Sequence, residues 1–464
     1  MKKLLITLFL VIALFVPAGA QQPTLKLPTY KKVKLANGMT LLLMEQHEVP
    51  FVSFSMIIRA GSVVDPVGKE GVASLTAEML RKGTKTRNAE QIAKEVDFVG
   101  GSLDFSAAAD YSSGTAEFLK NDLSTALDLL GDLLMNPTFP ENEFDKMRKQ
   151  RIDGIKQAKD QAMAVMPLYF TAYTYGTHPY ARPTSGDERS VAAITRADLV
   201  KHYESYYAPS NIILAVAGDF STAELERSLS ERFSNWKKSA SATVVKPTEP
   251  QPFKGRKLLF VDKPDSTQTF FMIGNVGVSR TNPDRVGINI INTFFGGRFT
   301  SLLNNELRVK SGLTYGARSF FDRRLVAGPF AISTYTRNAT TEQAIDMALD
   351  VLKRLHENGL TEEELKSTKE YIKGQYAPNL ETSGQLAGQL VLLEFYSLDE
   401  REINSYFTQI DAFTMADARR IIKQYFPLEN LVFVLIGKAE ETSKVAKKYA
   451  PKMDTKQISQ PGFN

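Results

Sequence analysis

The sequence predicts an α+β fold of two homologous domains, each an antiparallel-rich mixed sheet with helices packed on one face. Three observations predict it. The segments "YYAPSNIILAVAGDF" (Tyr206–Phe220) and "YFPLENLVFVLIGKA" (Tyr425–Ala439) share an aromatic pair, a Pro, an Asn, an apolar run and a closing Gly. Each reads as a helix end, a turn and a buried strand. Upstream, "ALDLLGDLLMNPTFPENEFDKMRKQRIDGIKQ" (Ala126–Gln157) parallels "ALDVLKRLHENGLTEEELKSTKEYIKGQY" (Ala348–Tyr376): an amphipathic helix, a loop, then a long charged helix opening with clustered Glu, whose charge suits a helix N-terminus. Finally, strand pairs precede helix groups in both halves, which favours α+β over alternating β/α order.

In chain order, Lys2 and Lys3 precede an apolar run from Leu4 to Val16 and the small residues Ala18-Gly19-Ala20, the pattern of a cleaved secretory signal. Residues 1–20 are therefore set outside the fold. A retained anchor is the rival reading, disfavoured by the short apolar run, and without a Cys there is no lipoprotein site. An N-terminal domain spans 25–236. It opens with two strands, "MTLLLMEQ" (Met39–Gln46) and "FVSFSMIIR" (Phe51–Arg59), around a turn holding Glu48 and Pro50. A hairpin about Asp110 and Tyr111 follows, from "SLDFSAAA" and "SSGTAEFL". The Ser-, Thr-, Pro- and Lys-rich stretch 237–256 has no apolar period and reads as an exposed linker. The C-terminal domain, 257–455, repeats the pattern with "KLLFVD", "QTFFMIGNV", "LTYGARSFF" and "AGPFAISTY"; residues 456–464 are left as a tail.

Of the 464 residues, 43% are hydrophobic and none is Cys, so the chain has material for two to four compact domains with substantial cores and no disulfides. No apolar segment after Ala20 is long enough to span a bilayer. With the signal, the expected location is the periplasm or the exterior. Without Lys2 and Lys3 the formal charge drops from +5 to +3, and no basic run is interleaved with aromatics, which excludes a nucleic-acid groove.

One stretch frames a site. "GVASLTAEMLRKGT" (Gly71–Thr84), with "LANGMTLLLME", "RAGSVVDP" (Arg59–Pro66) and "GTHPYARPTSGD" (Gly176–Asp187), resembles the pitrilysin-type (M16, insulinase-like) zinc peptidases. Their metal helix reads G-x-A-H-x-x-E-H-M-L-x-K-G-T. The resemblance covers nearly the whole mature chain and implies the pitrilysin/LuxS-like metallohydrolase fold. In that family two His one turn apart bind zinc and the Glu between them polarises a bound water. Here Ser74 stands at the first His position, Ala77 at the Glu position and Glu78 at the second His position. The family's third ligand, a Glu on the following long helix, matches Gly154; Asp153 is adjacent, but neighbouring helical positions point about 100° apart. Four changes at four roles leave neither a zinc site nor a base. The four His of the chain, His47, His178, His202 and His356, have no i, i+3 or i+4 partner among themselves. His47 is expected in a solvated turn and His178 hydrogen-bonded in a Pro-flanked loop, while Glu78 reads as a helix-surface or ion-paired carboxylate.

The second half keeps more. "GGRFTSLLNNELRVKSGLTYGARSF" (Gly296–Phe320) predicts a helix with an apolar period through Phe299, Leu302, Leu303 and Leu307, a stop at Gly312, then a strand. Gly296 and Gly297 lack the Lys-Ser/Thr of a phosphate loop and read as room for a tight helix start. The pattern is similar to the M16 second-half motif, which implies that Arg308 and Tyr315 face the substrate. Such donors suit a carbonyl gaining negative charge. The plain alternative pairs Arg308 with Glu306 or Asp322 and leaves Tyr315 an ordinary strand aromatic.

The resemblance implies a chamber of four such domains, two from a partner. The leading expectation is a non-metal-binding, substrate-binding subunit of a secreted heterodimeric M16 zinc peptidase, inactive alone, that closes the chamber and offers Arg308 and Tyr315 to the peptide in trans. It holds no cofactor itself, and zinc is expected in a zinc-bearing M16 paralogue. The second expectation is an inert structural or peptide-binding homologue; a third, an autonomous metallopeptidase, requires ligands elsewhere in the chain.

Overall fold

The computed structural model describes residues 25–236 and 245–463; the stretch expected to be a secretory signal and the first part of the expected linker lie outside the described residues. The first half runs β1 (Lys31–Lys34), β2 (Thr40–Glu45), β3 (Phe51–Ile58), α1 (Val72–Met79), α2 (Ala89–Phe98), β4 (Ser102–Ala107), β5 (Ser112–Leu119), α3 (Leu123–Met135), α4 (Glu141–Ala158), α5 (Ala162–Tyr175), α6 (Glu188–Ala193), α7 (Arg196–Tyr206), β6 (Ile212–Gly218) and α8 (Thr222–Phe233). The second runs β7 (Lys257–Asp262), β8 (Gln268–Val276), α9 (Arg285–Asn292), α10 (Leu302–Asn304), β9 (Ala317–Phe321), β10 (Pro329–Arg337), α11 (Thr341–Asn358), α12 (Glu362–Tyr376), α13 (Ser383–Phe395), α14 (Arg401–Asn404), α15 (Tyr406–Ala412), α16 (Met415–Tyr425), β11 (Val432–Gly437), α17 (Ala439–Ala446) and β12 (Met453–Gln457).

The strands form two six-stranded mixed sheets, ordered β1-β2-β6-β3-β5-β4 and β12-β7-β11-β8-β10-β9. The repeated strand is central in both: β6 runs parallel to β2 and antiparallel to β3, and β11 runs parallel to β7 and antiparallel to β8. The turn holding Glu48 and Pro50 therefore joins two strands that do not pair, because β6 lies between them. The hairpin about Asp110 and Tyr111 forms, with Ala107 opposite Ser112. Only the outer edge differs: β1 is antiparallel to β2, whereas β12, from the end of the chain, is parallel to β7.

Period-two alternation points successive residues to opposite faces, and the inner strands of each sheet, such as β3, β6 and β11, are buried on both. Leu41 and Leu43 of β2, with Phe54, Met56 and Ile58 of β3, face the helices of their own half. Leu42, Met44, Ile57, Ile213 and Ala215 face the other way, onto Leu386, Leu390 and Val391 of α13, a helix from the second half. The second sheet mirrors this. Leu258 and Phe260 of β7 face their own helices, while Leu259 and Val261, with Val432 and Val434, share a core with Val165 and Tyr169 of α5, from the first half. Helices thus cover both faces at the centre of each sheet, one face by the sheet's own helices and the other by a helix exchanged from the opposite half. The helix α5 is apolar almost all round, as burial between two domains requires.

Residues 456–463, read from the sequence as a tail, are built into the fold. Lys456 and Gln457 complete β12, and Phe463 packs edge-on against Tyr169, with ring centroids 5.1 Å apart.

Candidate functional site

The helix α1 is set in place by the residues that frame it. Gly71 precedes it with φ +106°, a left-handed conformation that favours glycine. Asp65, from "RAGSVVDP", accepts hydrogen bonds from the N–H groups of Gly71 (2.8 Å) and Ala73 (2.9 Å), satisfying donors at the helix start. Burial pushes its carboxyl up to about 7. Arg182, from "GTHPYARPTSGD", donates to the Asp65 carbonyl at 2.8 Å. Beyond the other end, Thr84 donates to Asp132 of α3 at 2.6 Å.

Ser74 and Glu78, one turn apart, point to the same side of α1, and Ser74 Oγ donates to Glu78 Oε1 at 3.0 Å. Ala77 is turned into the core. Across the gap, α4 presents Gly154, whose missing side chain would meet nothing within 4 Å, and Arg151, one turn earlier. The Arg151 guanidinium donates to Glu78 Oε1 at 2.6 Å, to Ser74 Oγ at 3.2 Å and to the Ser185 carbonyl at 3.2 Å. Glu78 is therefore ion-paired, one of the two readings made from sequence. A cleft of about 830 Å³ opens here, with Glu78, Arg151, Gly154 and, from α5, Leu168 in its wall.

The second domain holds a counterpart, where β9 and α12 take the places of β4 and α4. Arg308 lies in a π-helical turn, Asn305–Lys310, a local widening that recurs at functional sites. Gly312, with φ +63°, reverses the chain and returns Tyr315 over the helix. The flanks of Tyr315 are pinned to β10: Thr336 Oγ1 donates to the Leu313 carbonyl at 2.7 Å and Thr334 Oγ1 to the Gly316 carbonyl at 2.9 Å. The ring itself stands 75% exposed. The Arg308 guanidinium is stacked between two rings, 4.4 Å from the centroid of Tyr315 and 4.7 Å from that of Phe299, a cation–π arrangement that orients it without neutralising it.

The two acids considered for Arg308 are engaged elsewhere. Glu306 pairs with Lys310 and Arg354, and Asp322 pairs with Arg324. Phe299, read from the sequence as part of the apolar helical face, is instead 64% exposed, because it lies in the loop before α10. Its carbonyl is held there by Asn304 Nδ2 at 2.6 Å. Gly296 likewise serves close packing rather than a helix start: a Cβ there would stand 2.4 Å from the Ser319 nitrogen of β9. Arg308 lines a pocket of about 470 Å³, closed on one side by Met163, Met166 and Pro167 of α5. One helix thus borders both cavities.

Two family models together match most of the chain: "Insulinase (Peptidase family M16)" over residues 40–188 and "Peptidase M16 inactive domain" over 193–372. The chain belongs to the M16 peptidase family. Among relatives of the M16 chain, an uncharacterized zinc protease of Bacillus subtilis is 24% identical over 407 residues, covering 88% of this chain and 98% of the relative. An uncharacterized zinc protease of Mycobacterium tuberculosis is 27% identical over 414 residues, covering 88% and 91%. Among solved structures, the peptidase M16 inactive domain from Pseudomonas fluorescens superposes with a TM-score of 0.83 at 27% identity, covering 88% of this chain and 98% of that one. A protease from Helicobacter pylori shares the fold, with a TM-score of 0.82 at 22% identity and coverage of 89% and 100%.

The family implies zinc, and the residues at the M16 metal positions do not fit it. Catalytic zinc takes three protein ligands and an open position. Here a hydroxyl, a methyl group, a carboxylate and a glycine stand in those places, and the carboxylate already holds a guanidinium. Arg151 puts a fixed positive charge beside the position a metal ligand would occupy. Among the described residues no group of three or more His, Cys, Asp or Glu is placed to hold a metal ion, and no helix is long and apolar enough to cross a membrane. The four His have separate tasks. His47 lies at the surface between Asp219 and Glu45. His178 accepts from the Tyr180 N–H at 3.1 Å and donates to the Thr248 carbonyl at 2.8 Å, a hydrogen-bonded loop residue. His202 is buried, and His356 donates to the Phe426 carbonyl at 2.6 Å.

Proposed function

We propose that this chain is the non-metal-binding, substrate-binding subunit of a secreted or periplasmic heterodimeric M16 zinc peptidase. A zinc-bearing M16 paralogue supplies the metal and the general base, and this chain closes the chamber and contributes Arg308 and Tyr315 in trans. The observation that carries the reading is the state of Arg308. Its guanidinium is held between Phe299 and Tyr315, and among the described residues it has no carboxylate partner and no hydrogen-bond acceptor. The N–H edges of a stacked guanidinium stay free, and the Tyr315 hydroxyl beside it is equally unengaged. Such preorganised donors stabilise an oxyanion at a scissile carbonyl without reorganisation during the reaction. The names of the zinc protease relatives support the reaction class, and Arg151 at the displaced metal position supports assigning the zinc to the other subunit.

The test is reconstitution. The chain is purified alone and together with a co-expressed M16 paralogue that retains H-x-x-E-H, and hydrolysis of a quenched-fluorescent peptide is followed. The reading expects no turnover by this chain, and turnover by the pair well above that of the paralogue. Turnover by the pair equal to that of the paralogue alone would leave this chain a structural homologue.

A further inference from the structure

The pocket beside Arg308 carries more positive charge than carbonyl binding needs. Its wall includes Arg298, Arg308 and Arg318, and no Asp or Glu. Among the described residues none of the three arginines has a carboxylate within ion-pair distance, although other arginines of the second half, such as Arg285, Arg324, Arg354 and Arg420, each have one. Arg298 is the most telling. Its side chain is half-buried, with the guanidinium 5.7 Å from the centre of the Tyr371 ring. One terminal nitrogen donates to Ser367 Oγ at 3.3 Å, while Nε is buried with no acceptor among the described residues. An unsatisfied buried donor on a charged group is costly unless something arrives to accept from it. Arg318, on the edge strand β9, is exposed, its guanidinium 5.9 Å from the ring centre of Phe320. Met163, Met166, Phe270 and Tyr335 give the remaining wall apolar and aromatic surface, beside the uncharged polar Asn304, Ser333 and Thr334.

Unpaired guanidinium groups on an apolar floor match an anion attached to an apolar body. A carboxylate supplies the acceptors that Arg298 lacks, and neighbouring side chains of the same peptide cover Phe270 and the methionines. We propose that this pocket is a specificity subsite for a peptide carboxylate, held by Arg298 and Arg318 next to an apolar residue, so that peptides bearing such a carboxylate are preferred. This rests on the substrate-facing reading of the Arg308 pocket and adds to it the chemical class of the residue that docks there. The shared chemistry is the carboxylate; its source is either an acidic side chain or the peptide's own C-terminus.

The experiment measures binding, so that it is separable from turnover and from the partner. The mature full chain is titrated by fluorescence anisotropy with dye-labelled octapeptides of Ala and Gly around one Phe, carrying beside that Phe either Glu with an amidated C-terminus, Gln with an amidated C-terminus, or Gln with a free C-terminus. The expected result is that one carboxylate peptide binds about tenfold more tightly than the amidated Gln peptide, the preference falling to about twofold or less in Arg298→Met. A tighter Glu peptide assigns the side chain as the source; a tighter free-acid peptide assigns the C-terminus. Arg318→Met, at an exposed position where folding is not at risk, weakens the same preference. Equal affinities for all three peptides, or a preference that survives both substitutions, overturns the proposal. Loss of this preference with the reconstituted turnover intact would remove the subsite alone. An intact preference without turnover would remove the hydrolytic reading alone.

Discussion

At the scale of the residue, the replaced metal site is a matter of charge. Arg151 and Glu78 are both largely shielded, with side-chain exposures of 15% and 33%, so their pairing differs from an open surface ion pair. Glu78→Gln leaves a guanidinium without its counter-charge and is expected to cost about 1–3 kcal/mol of stability in urea denaturation. Replacing both partners, Glu78→Leu with Arg151→Met, is expected to recover most of that loss, because no unpaired charge remains; a double variant weaker than Glu78→Gln would contradict this account of the pair. Ser74, Ala77 and Glu78 were legible because each stands at a fixed place in a short motif, and Gly154 because the long helix downstream matches the family's third-ligand helix. Arg151 was not, since "DKMRKQRIDG" reads as the charged face of a solvent-exposed helix, and only the approach of α4 to α1 turns that residue inward. His202 makes a second residue-scale prediction. Burial against Tyr206 and Tyr207 holds its imidazole neutral, pushed down to about 3 from 6.5, and Nε2 has no partner among the described residues. The folded state therefore takes up its proton later than the unfolded one as pH falls. The group's contribution is complete above pH 6.5 and is lost on acidification toward 3, by up to about 1.4 kcal/mol per pH unit. In denaturation midpoints measured between pH 7 and 4.5, His202→Leu is expected to be less acid-sensitive than the wild type; an identical pH dependence would contradict the assignment.

Among the elements, the two exchanged helices matter most. The repeated pairs α3–α4 and α11–α12, and the repeated strands β6 and β11, were readable because local periodicity and a shared turn mark them. The insertion of β6 between β2 and β3, and the docking of α5 and α13 on the opposite half's sheet, were not. Both depend on contacts between residues far apart in sequence, and a helix such as "AMAVMPLYFTAYTY", apolar on nearly every side, carries no stripe to say which sheet it will cover. The packing predicts a cross-half effect. Leu390 is 1% exposed and shares a core with Leu42, Ile57 and Ile213 of the first sheet. Leu390→Ala is expected to cost about 2–5 kcal/mol and to raise amide hydrogen exchange in β2, β3 and β6, strands of the other half. Faster exchange confined to α13 and its own half would contradict the exchange of helices.

For the molecule as a whole, the duplicated fold gives two counterpart cavities with α5 bordering both, and the two have diverged. The first keeps the frame of an M16 metal helix around an internal Arg–Glu pair; the second keeps an arginine with free donors against a tyrosine. The motif spacing made Arg308 and Tyr315 visible in the sequence, while their stacking with Phe299 was hidden, because Phe299 fits an apolar helical period as well as it fits a ring laid over a guanidinium. Division of the site between two chains is the account's central claim, and Arg308 tests it most directly. The measurement is kcat/KM for a quenched-fluorescent peptide by the reconstituted pair, with wild-type chain and with Arg308→Ala, after size-exclusion and metal analysis have established that each pair forms and holds the same zinc content. The account predicts a fall of about 10²–10³-fold for the variant. A kcat/KM within about twofold of wild type, with the pair and its zinc intact, would contradict it.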